Sequence, residues 1–314
     1  MKKSDKIYIA GHQGLVGKAL IDALGKKGFL NLITRTREEL DLTNQQQVER
    51  FFHDNKPDIV YLAAGKVGGV YANDTYRAEF IYENIMIQAN IIHQSYLQEV
   101  KKLIFFACSS IFPKVTPQPV KEDYLLMGPL ESTNEPFAIA KIAGHKMCES
   151  YNRQYGTDFI SIIPTNLYGV GQRYELMNCL VIPALIRRFH EVKQANKRTI
   201  TIWGTGRPSR DFLFAGDLAD AAIFLTERSN GNNTYNVGTG RDYQISELAN
   251  IICNVVGFRG KIIYDHTKPD GVLVKLQDVD KIEQLGWKCK VELKEGIRIA
   301  YKDFLERFSL NQII

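Results

Sequence analysis

The 314-residue sequence has few cysteines, no long apolar run and no block of like charge. Its five cysteines do not have the spacing of metal ligands, which favours reduced thiols in a cytoplasmic protein and no metal site. No apolar run approaches the roughly 18 residues of a membrane span, and residues 1–6 lack the apolar core of a signal peptide. The net charge is only +5 and the basic residues are dispersed, so we expect neither a membrane nor a nucleic acid as partner.

Apolar segments with strand-like and helix-like spacing alternate along the first half of the chain. This alternation predicts an α/β protein with a Rossmann-type, doubly wound parallel sheet, whose ligands lie beyond the carboxyl ends of the strands. Segments 210–214 and 234–237 are predicted to return to that sheet. We expect a Rossmann domain at residues 1–165 plus about 211–238. A smaller α/β domain that binds the substrate is expected at residues 166–210 and 239–314.

Three glycines, Gly11, Gly14 and Gly17, separate the first predicted strand from the first predicted helix. Glycines there let the backbone approach a pyrophosphate, and the helix N-terminus offers free N–H groups. A purely structural turn is the other interpretation of such a pattern, but the βα units that follow in order favour dinucleotide binding. The loop residues Gln13, Leu15 and Val16 are then cofactor-binding candidates.

The end of the second predicted strand reads Thr34-Arg35-Thr36-Arg37, with no carboxylate before Glu38. An acidic residue there would bind the ribose hydroxyls of NAD, whereas arginine can bind a 2′-phosphate with two parallel hydrogen bonds. The sequence therefore predicts NADP(H), with Arg35 on the phosphate; the alternative is that the arginines face solvent. We expect Asp41 and Leu42 to line the adenine pocket. Ala63 and Ala64 are small enough to let the backbone pass close to the cofactor.

Further motifs are spread over nearly the whole chain. Together with the glycine loop they resemble the GDP-L-fucose synthase family, an extended form of the short-chain dehydrogenases/reductases. The resemblance implies an enzyme that epimerises GDP-4-keto-6-deoxymannose at C3 and C5 and reduces C4 with NADPH. The motifs include Phe80-Ile81-Tyr82-Glu83-Asn84, Asn134-Glu135-Pro136-Phe137-Ala138-Ile139-Ala140-Lys141, Pro164-Thr165-Asn166-Leu167-Tyr168-Gly169, Val181-Ile182-Pro183 and Lys268-Pro269-Asp270-Gly271.

The chain departs from this family at its catalytic positions. Where the family has a reductase triad of Ser, Tyr and Lys, this sequence has Cys108, Phe137 and Lys141. Where the family has an epimerase pair of Cys and His, it has Ser110 and Leu180. The family also has an arginine at the position of Gln13 that helps to bind the 2′-phosphate, so its absence weakens the prediction of NADP.

These departures affect the two reactions differently. Epimerisation needs titratable groups on both faces of the sugar, and leucine cannot titrate, so we expect that activity to be lost unless another side chain such as Cys179 substitutes. Reduction depends mainly on holding the nicotinamide against the ketone, and a general acid adds only ~10²–10⁴-fold. Lys141 can hold the nicotinamide ribose and stabilise an alkoxide. The proton is expected from Cys108, Ser109, Ser110 or a water.

The resemblance implies an intact substrate site. Arg188, Arg210 and Lys275 match positions that meet the GDP diphosphate or the sugar. Positions of the sugar–nucleotide cleft and of the nicotinamide site are matched by Pro164, Asn166, Leu167, Leu180, Val181 and Trp203. An ordinary surface or core role is the alternative for each residue taken singly.

The preferred interpretation is an NADPH-dependent C4-ketoreductase of a GDP-4-keto-6-deoxy sugar, hexose or heptose. The alternatives are a bifunctional epimerase/reductase like the family, an oxidoreductase working in the opposite sense or turning over slowly, and a non-catalytic member that binds NADP or GDP-sugar. The family also implies a homodimer through the apolar stripes of the helices predicted at 77–97 and 137–156, unless those stripes only face the sheet.

Overall fold

The computed structural model describes residues 1–175, 179–229, 233–268 and 270–310. The loop predicted at residues 169–178 therefore lies partly outside the described residues. The strands are β1 (Ile7–Ala10), β2 (Leu32–Ile33), β3 (Ile59–Leu62), β4 (Lys102–Phe106), β5 (Phe159–Pro164), β6 (Asn166–Tyr168), β7 (Thr199–Trp203), β8 (Ser209–Phe214), β9 (Thr234–Val237), β10 (Asp242–Gln244), β11 (Lys261–Asp265) and β12 (Val274–Lys275).

Helices connect most of these strands, and short 3₁₀ turns follow β4 and precede α5. The helices are α1 (Leu15–Lys26), α2 (Gln45–Asn55), α3 (Val70–Thr75), α4 (Arg77–Leu97), α5 (Glu135–Tyr155), α6 (Val181–Gln194), α7 (Ala215–Arg228), α8 (Ile245–Val256), α9 (Asp280–Gln284) and α10 (Leu293–Ser309).

Six parallel strands form the main sheet in the order β2-β1-β3-β4-β5-β9, which confirms the predicted doubly wound architecture. The chain runs from β1 outward to β2 and then crosses to β3 on the other side of β1, so the strand order reverses between β1 and β3. Ligands of such sheets bind at this reversal, beyond the carboxyl ends of the strands. The fold therefore places the glycine loop at the expected ligand-binding edge.

The strand predicted at 210–214 does not return to the main sheet, so that prediction was wrong. The observed β8 pairs with β10, β12 and β6 in a second sheet. The physical reason is that the edge of β5 is already occupied by β9, in the register Pro164↔Val237. Of the predicted strand and helix, only the helix, α7, lies on the main sheet, where it packs against α1. The predicted domain boundaries stay a prediction.

Apolar side chains cover both faces of the main sheet and fill a third core under the second sheet. On one face, Leu20 and Leu24 of α1 meet Leu218 and Ala222 of α7. On the other face α4 and α5 pack on the sheet. The third core joins α6, α8 and α10, with Phe304 fully buried. The three cores hold the glycine loop and the second sheet at fixed positions.

We predict opposite effects for two alanine substitutions in α1. A methyl group on Gly17 would overlap the Gly11 carbonyl oxygen and lie 2.5 Å from the Cα of His12, whereas Gly25 has nothing within 4 Å. Gly17→Ala should lower the free energy of unfolding by about 1–3 kcal/mol, because backbone atoms must move. Gly25→Ala is the matched control and should raise it by up to about 1 kcal/mol. Urea denaturation measures both, and equal effects would contradict the close approach.

Candidate active site

The glycine loop leaves room for a ligand against the backbone. Gly11 has a φ of +83°, and a Cβ atom there would lie 2.7 Å from the Cα of Ala64, so only glycine fits this contact between the ends of β1 and β3. Helix α1 begins with Gly14 as its N-cap and has no side-chain cap. Its first N–H groups are thus free for an anion, which fits the predicted pyrophosphate site.

Arg35 is exposed beyond β2, as the predicted phosphate ligand should be. Its guanidinium donates to the Thr34 carbonyl at 2.7 Å and lies 5.6 Å from the centre of the Phe51 ring. The sequence analysis did not single out Glu39, whose carboxylate accepts from the Thr36 N–H at 2.7 Å. That hydrogen bond lowers the pKa of Glu39, and Arg35 lowers it further. A carboxylate therefore lies near the predicted phosphate ligand.

Asp41 and Leu42, predicted at the adenine pocket, hold the turn before α2. The Asp41 carboxylate accepts from the backbone N–H and the hydroxyl of Thr43, at 2.9 and 2.8 Å. The Leu42 carbonyl accepts from the Asn90 side chain at 2.9 Å. These contacts fix the backbone of the turn, and the Asp41 carboxylate already has partners within it.

Phe137 occupies a dry apolar site. Its ring is 8% exposed and lies edge-on to Phe80, with ring centres 6.2 Å apart. Ala72 completes the cluster and Cys108 packs against it. No titratable oxygen stands where the resemblance places a tyrosine hydroxyl.

Lys141 lies one helical turn beyond Phe137 and is buried. Its ammonium donates to the Phe106 carbonyl at 3.0 Å and lies 5.0 Å from the centre of the Phe105 ring. It makes no ion pair with any residue that the structure describes. Burial lowers the pKa of Lys141 to about 8. An anionic or strongly polar ligand would stabilise this ammonium.

Ser109 and Ser110 lie on a 3₁₀ turn directly after β4, next to Cys108. The Ser110 hydroxyl oxygen accepts from the Asn134 amide at 3.2 Å. Asn134 belongs to a motif of the sequence but was not predicted as a site residue. The turn places Cys108 and Ser110 after the carboxyl end of β4, where Cys108 packs against the cluster of Phe137 and where Lys141 of α5 donates to the Phe106 carbonyl.

A cavity of about 390 Å³ opens between α6, the second sheet and the end of β7. Most of the predicted substrate residues line it, on β6, the start of α6, β7 and β8. They are Asn166, Leu180, Val181, Arg188, Trp203 and Arg210, and they are joined by Leu167, which was predicted to bind the cofactor. Asp270 and Gly271 also line the cavity, although the sequence analysis gave them no role.

The cavity carries two arginines that are partly withdrawn from water. Arg188 donates to the Thr201 carbonyl, and Arg210 donates to the carbonyls of Ser209 and Val272 at 2.7 and 2.6 Å. Burial lowers the pKa of both guanidinium groups. Neither makes an ion pair within the described ranges. Two desolvated cations facing one cavity favour an anionic ligand such as a diphosphate.

Lys275 is the predicted substrate residue that does not line this cavity. It lines a smaller pocket with Lys114 and Gln118, although it pairs in register with Arg210 across β12 and β8. Burial lowers the pKa of Lys275 to about 8. The second sheet thus brings two cations to neighbouring strands, a proximity that the sequence spacing alone does not reveal.

Among the described residues, no group of three or more His, Cys, Asp or Glu side chains could hold a metal ion. None of the helices in the described ranges is long and apolar enough to cross a membrane.

The parallel sheet and the glycine loop at its strand reversal define a dinucleotide-binding α/β protein. Residues 7–238 match the model of the NAD dependent epimerase/dehydratase family. GDP-L-fucose synthase of Escherichia coli (strain K12) is 48% identical over 310 residues, covering 96% of this chain and 97% of the relative. GDP-L-fucose synthase 1 of Arabidopsis thaliana is 50% identical over 304 residues, covering 97% and 94%. The chain therefore belongs to the GDP-L-fucose synthase family.

Solved structures show the same fold. A GDP-6-OMe-4-keto-L-xylo-heptose reductase from C. jejuni superimposes with a TM-score of 0.92 at 40% identity, covering 98% of this chain and 99% of that one. A GDP-mannoheptose C4 reductase from Campylobacter jejuni with NADP bound superimposes with a TM-score of 0.89 at 44% identity, covering 97% and 99%.

We predict that Arg35 sets a preference for NADPH over NADH. Arg35→Ala should weaken NADPH binding about tenfold or more and leave NADH unchanged, because only NADPH carries the 2′-phosphate that the guanidinium would bind. Arg37→Ala is the matched control, since Arg37 already pairs with Glu83 at 3.5 Å. Calorimetric titration measures the affinities. Equal loss of both cofactors, or an unchanged preference in Arg35→Ala, would contradict the assignment.

Proposed function

We propose that this protein is an NADPH-dependent C4-ketoreductase of a GDP-linked 4-keto-6-deoxy sugar, a hexose or a heptose, without epimerase activity. The supporting observation is an asymmetry within the site. The cation of the reductase set, Lys141, is retained in a buried position without an anionic partner, while both epimerase positions have lost their titratable groups. GDP-sugar relatives that include C4 reductases support the same reaction class.

The residues where the strand order reverses, between β1 and β3, fit NADP(H). Gly11, Gly14 and the free N-terminus of α1 would receive the pyrophosphate, and Arg35 the 2′-phosphate. Ala63 and Ala64 let the backbone approach the cofactor. When bound, the reduced nicotinamide supplies a hydride to a ketone carbon. Lys141 would hold the nicotinamide ribose, and Pro164, Asn166 and Leu167 would border the nicotinamide.

The GDP-sugar would occupy the cavity between α6 and the second sheet. Arg210 and Arg188 face it as desolvated cations. The negative charge of a diphosphate would compensate for the hydration that these guanidinium groups lost on folding. Lys275 is next to Arg210 and would add charge from β12. The sugar would then reach toward Leu180 and Asn166, which begins β6 shortly after the end of β5.

The chain's own contribution to reduction is charge and positioning. A ketone that accepts a hydride develops an alkoxide, and a cation in a dry site stabilises it strongly. Lys141 can supply that charge below its pKa of about 8, and the charge is lost as the pH rises through that value. Protonation of the alkoxide would come from Cys108, Ser109, Ser110 or a water.

Epimerisation lacks its acid and base. Leu180 lines the cavity and is 42% exposed there, so an apolar side chain meets the sugar where the resemblance implies a histidine. The Ser110 hydroxyl is a far weaker acid than a thiol and is already bonded to Asn134. Neither group can take a proton from carbon at neutral pH.

A homodimer through α4 and α5 is also part of the proposal. The two helices pack side by side along the main sheet. Large apolar side chains remain exposed on their outer surface, namely Tyr82, Leu97, Ile139 and Tyr155. A second copy of the same helix pair would cover them across a two-fold axis.

The reductase is tested by NADPH oxidation with a panel of GDP-4-keto sugars. Lys141→Ala should cut turnover by ~10²-fold or more, because positioning and charge are both lost. Phe137→Tyr should leave turnover equal or higher, with a gain limited to the ~10²–10⁴-fold that a general acid supplies. Phe80→Tyr is the matched control, since it adds a hydroxyl to the same apolar cluster at another place. It should give no gain.

Two outcomes would revise the proposal. A large loss in Phe137→Tyr would mean that the apolar ring shapes the pocket for a different or bulkier sugar. No turnover of any sugar, by wild type or by Phe137→Tyr, would favour the non-catalytic alternative, in which the protein binds GDP-sugar without converting it.

Loss of epimerisation is tested by deuterium exchange. Wild-type protein incubated with GDP-4-keto-6-deoxymannose in D₂O should incorporate little deuterium at C3 or C5, as measured by NMR, because Ser110 and Leu180 cannot exchange carbon-bound protons. The double variant Ser110→Cys with Leu180→His should incorporate more. Rapid exchange by the wild type would show that another base, for example Cys179, has replaced the family pair.

A further inference from the structure

The thiol of Cys108 lies beside the apolar ring that stands at the family's tyrosine position. Cys108 comes two residues after the end of β4, is half-buried and packs against the cluster of Ala72, Phe80 and Phe137. The family resemblance implies a proton donor at Phe137, so the thiol is next to the place where a proton is needed. In water a thiol is a somewhat stronger acid than a phenol, so its chemistry suits the same task.

A buried ammonium group is a neighbour of this thiol. Lys141 is 6% exposed and donates at 3.0 Å to the carbonyl of Phe106, two residues before Cys108. Burial lowers the pKa of Lys141 to about 8, and the charge that Cys108 can carry acts in the opposite direction. The attraction is mutual, so the ammonium would stabilise a thiolate at Cys108.

A second ammonium group approaches the thiol from β12. Lys275 lines one pocket with Phe112, four residues after Cys108. Burial lowers the pKa of Lys275 to about 8, and Cys108 opposes that effect. Arg210 lowers this pKa further, whereas Glu131 raises it. The Lys275 ammonium has no hydrogen-bond acceptor among the residues that the structure describes. The thiol is thus the group where two buried cations, one from α5 and one from β12, come together.

The pocket beside Lys275 offers a way to replace a proton. Its volume is about 20 Å³, which is room for about one water molecule. Lys114 and Gln118 line it together with Lys275, so polar partners for that water are at hand. A proton can therefore pass from water to Lys275 and from there to a thiolate.

The other hydroxyl groups on the same turn are poorer donors. Ser109 and Ser110 carry alcohols, which are far weaker acids than thiols. The Ser110 oxygen also accepts from the Asn134 amide at 3.2 Å. Of the three side chains that follow β4, Cys108 is the one whose acidity matches a proton transfer near neutral pH.

We propose that Cys108 donates the proton in the reduction of the ketone, in place of the family's tyrosine. The inference rests on the proposed function and selects one donor from those that it left open. When C4 accepts a hydride from the reduced nicotinamide, the π electrons of the carbonyl move onto its oxygen. The S–H bond of Cys108 breaks, its proton forms the O–H bond of the alcohol, and its electron pair stays on sulfur. Lys141 and Lys275 stabilise that thiolate until a solvent proton restores the thiol.

The variant Cys108→Ser tests the donor through NADPH oxidation with the GDP-4-keto sugar that the wild type reduces fastest. It removes the acid and keeps a side chain of similar size, so kcat should fall by ~10²-fold or more with NADPH affinity unchanged. Cys253→Ser is the matched control. Cys253 is a half-buried thiol of α8 that donates to the Phe258 carbonyl at 3.3 Å, and a hydroxyl can donate there too. Its kcat should equal that of the wild type.

A double-variant cycle separates proton donation from a packing role. Phe137→Tyr supplies the family's donor, so adding Cys108→Ser to it should lower kcat by no more than about threefold. In the wild-type background the same change should cost ~10²-fold or more. A thiol that only packs against the apolar cluster would give the same loss in both backgrounds, and that result would overturn the inference.

Lys275→Met tests the supporting charge by separating kcat from KM. In the wild type it should lower kcat, and it should raise KM because Lys275 also adds charge near the diphosphate in the proposed function. In the Cys108→Ser background it should raise KM alone, since no thiolate remains to be stabilised. An equal fall of kcat in both backgrounds would overturn the role of Lys275 beside the thiol.

The proposed function and this inference can fail separately. A wild type that reduces no GDP-4-keto sugar would overturn both. Reduction that Cys108→Ser does not slow would overturn this inference alone and assign the proton to Ser109, Ser110 or a water. Calorimetric binding of NADPH at the wild-type affinity shows that the variant is folded, and Cys108→Ala, expected to lose kcat to the same extent, serves as the second variant.

Discussion

The parallel pairing of β1 with β3 is the constraint on which the candidate site depends. It brings the end of β1 so close to the end of β3 that a Cβ on Gly11 would lie 2.7 Å from the Cα of Ala64. The strand order reverses there, so the free N-terminus of α1 faces an open edge. The next strands, β4 and β5, continue the sheet from this point and carry Lys141, through α5, and Asn166 to the same edge. A shift of β1 against β3 would displace all of these groups.

A second constraint is the burial of positive charge without matching negative charge. Burial lowers the pKa values of Lys141 and Lys275 to about 8 and also lowers those of Arg188 and Arg210. Within the described ranges no carboxylate pairs with any of them. Burial of these cations is therefore unfavourable until an anionic ligand pairs with them. This supports the proposal of a dinucleotide near Lys141 and a diphosphate near Arg188 and Arg210.

In the proposed reductase, catalysis depends on positioning more than on proton transfer. An apolar cluster of Ala72, Phe80 and Phe137 stands where the family resemblance implies a proton donor. The buried ammonium beside it is the group that would stabilise a developing alkoxide. Leu180 presents only hydrocarbon to the cavity, so the same proposal expects epimerisation to suffer more than reduction.

The sequence by itself determined the elements with strong periodicity and local signals. Helix Arg77–Leu97, strand Thr234–Val237 and the glycine turn were predicted where the structure has them, because apolar spacing and glycine act locally. Strands β6, β10 and β12 are two or three residues long and carry no such pattern, so they were missed. Only the tertiary structure decided that β8 leaves the main sheet, that Arg210 and Lys275 are neighbours, and that Asp270 and Trp203 face one cavity. The reason is that strand pairing and cavity walls join residues far apart in the chain, and their pairing energies depend on partners that no local pattern specifies.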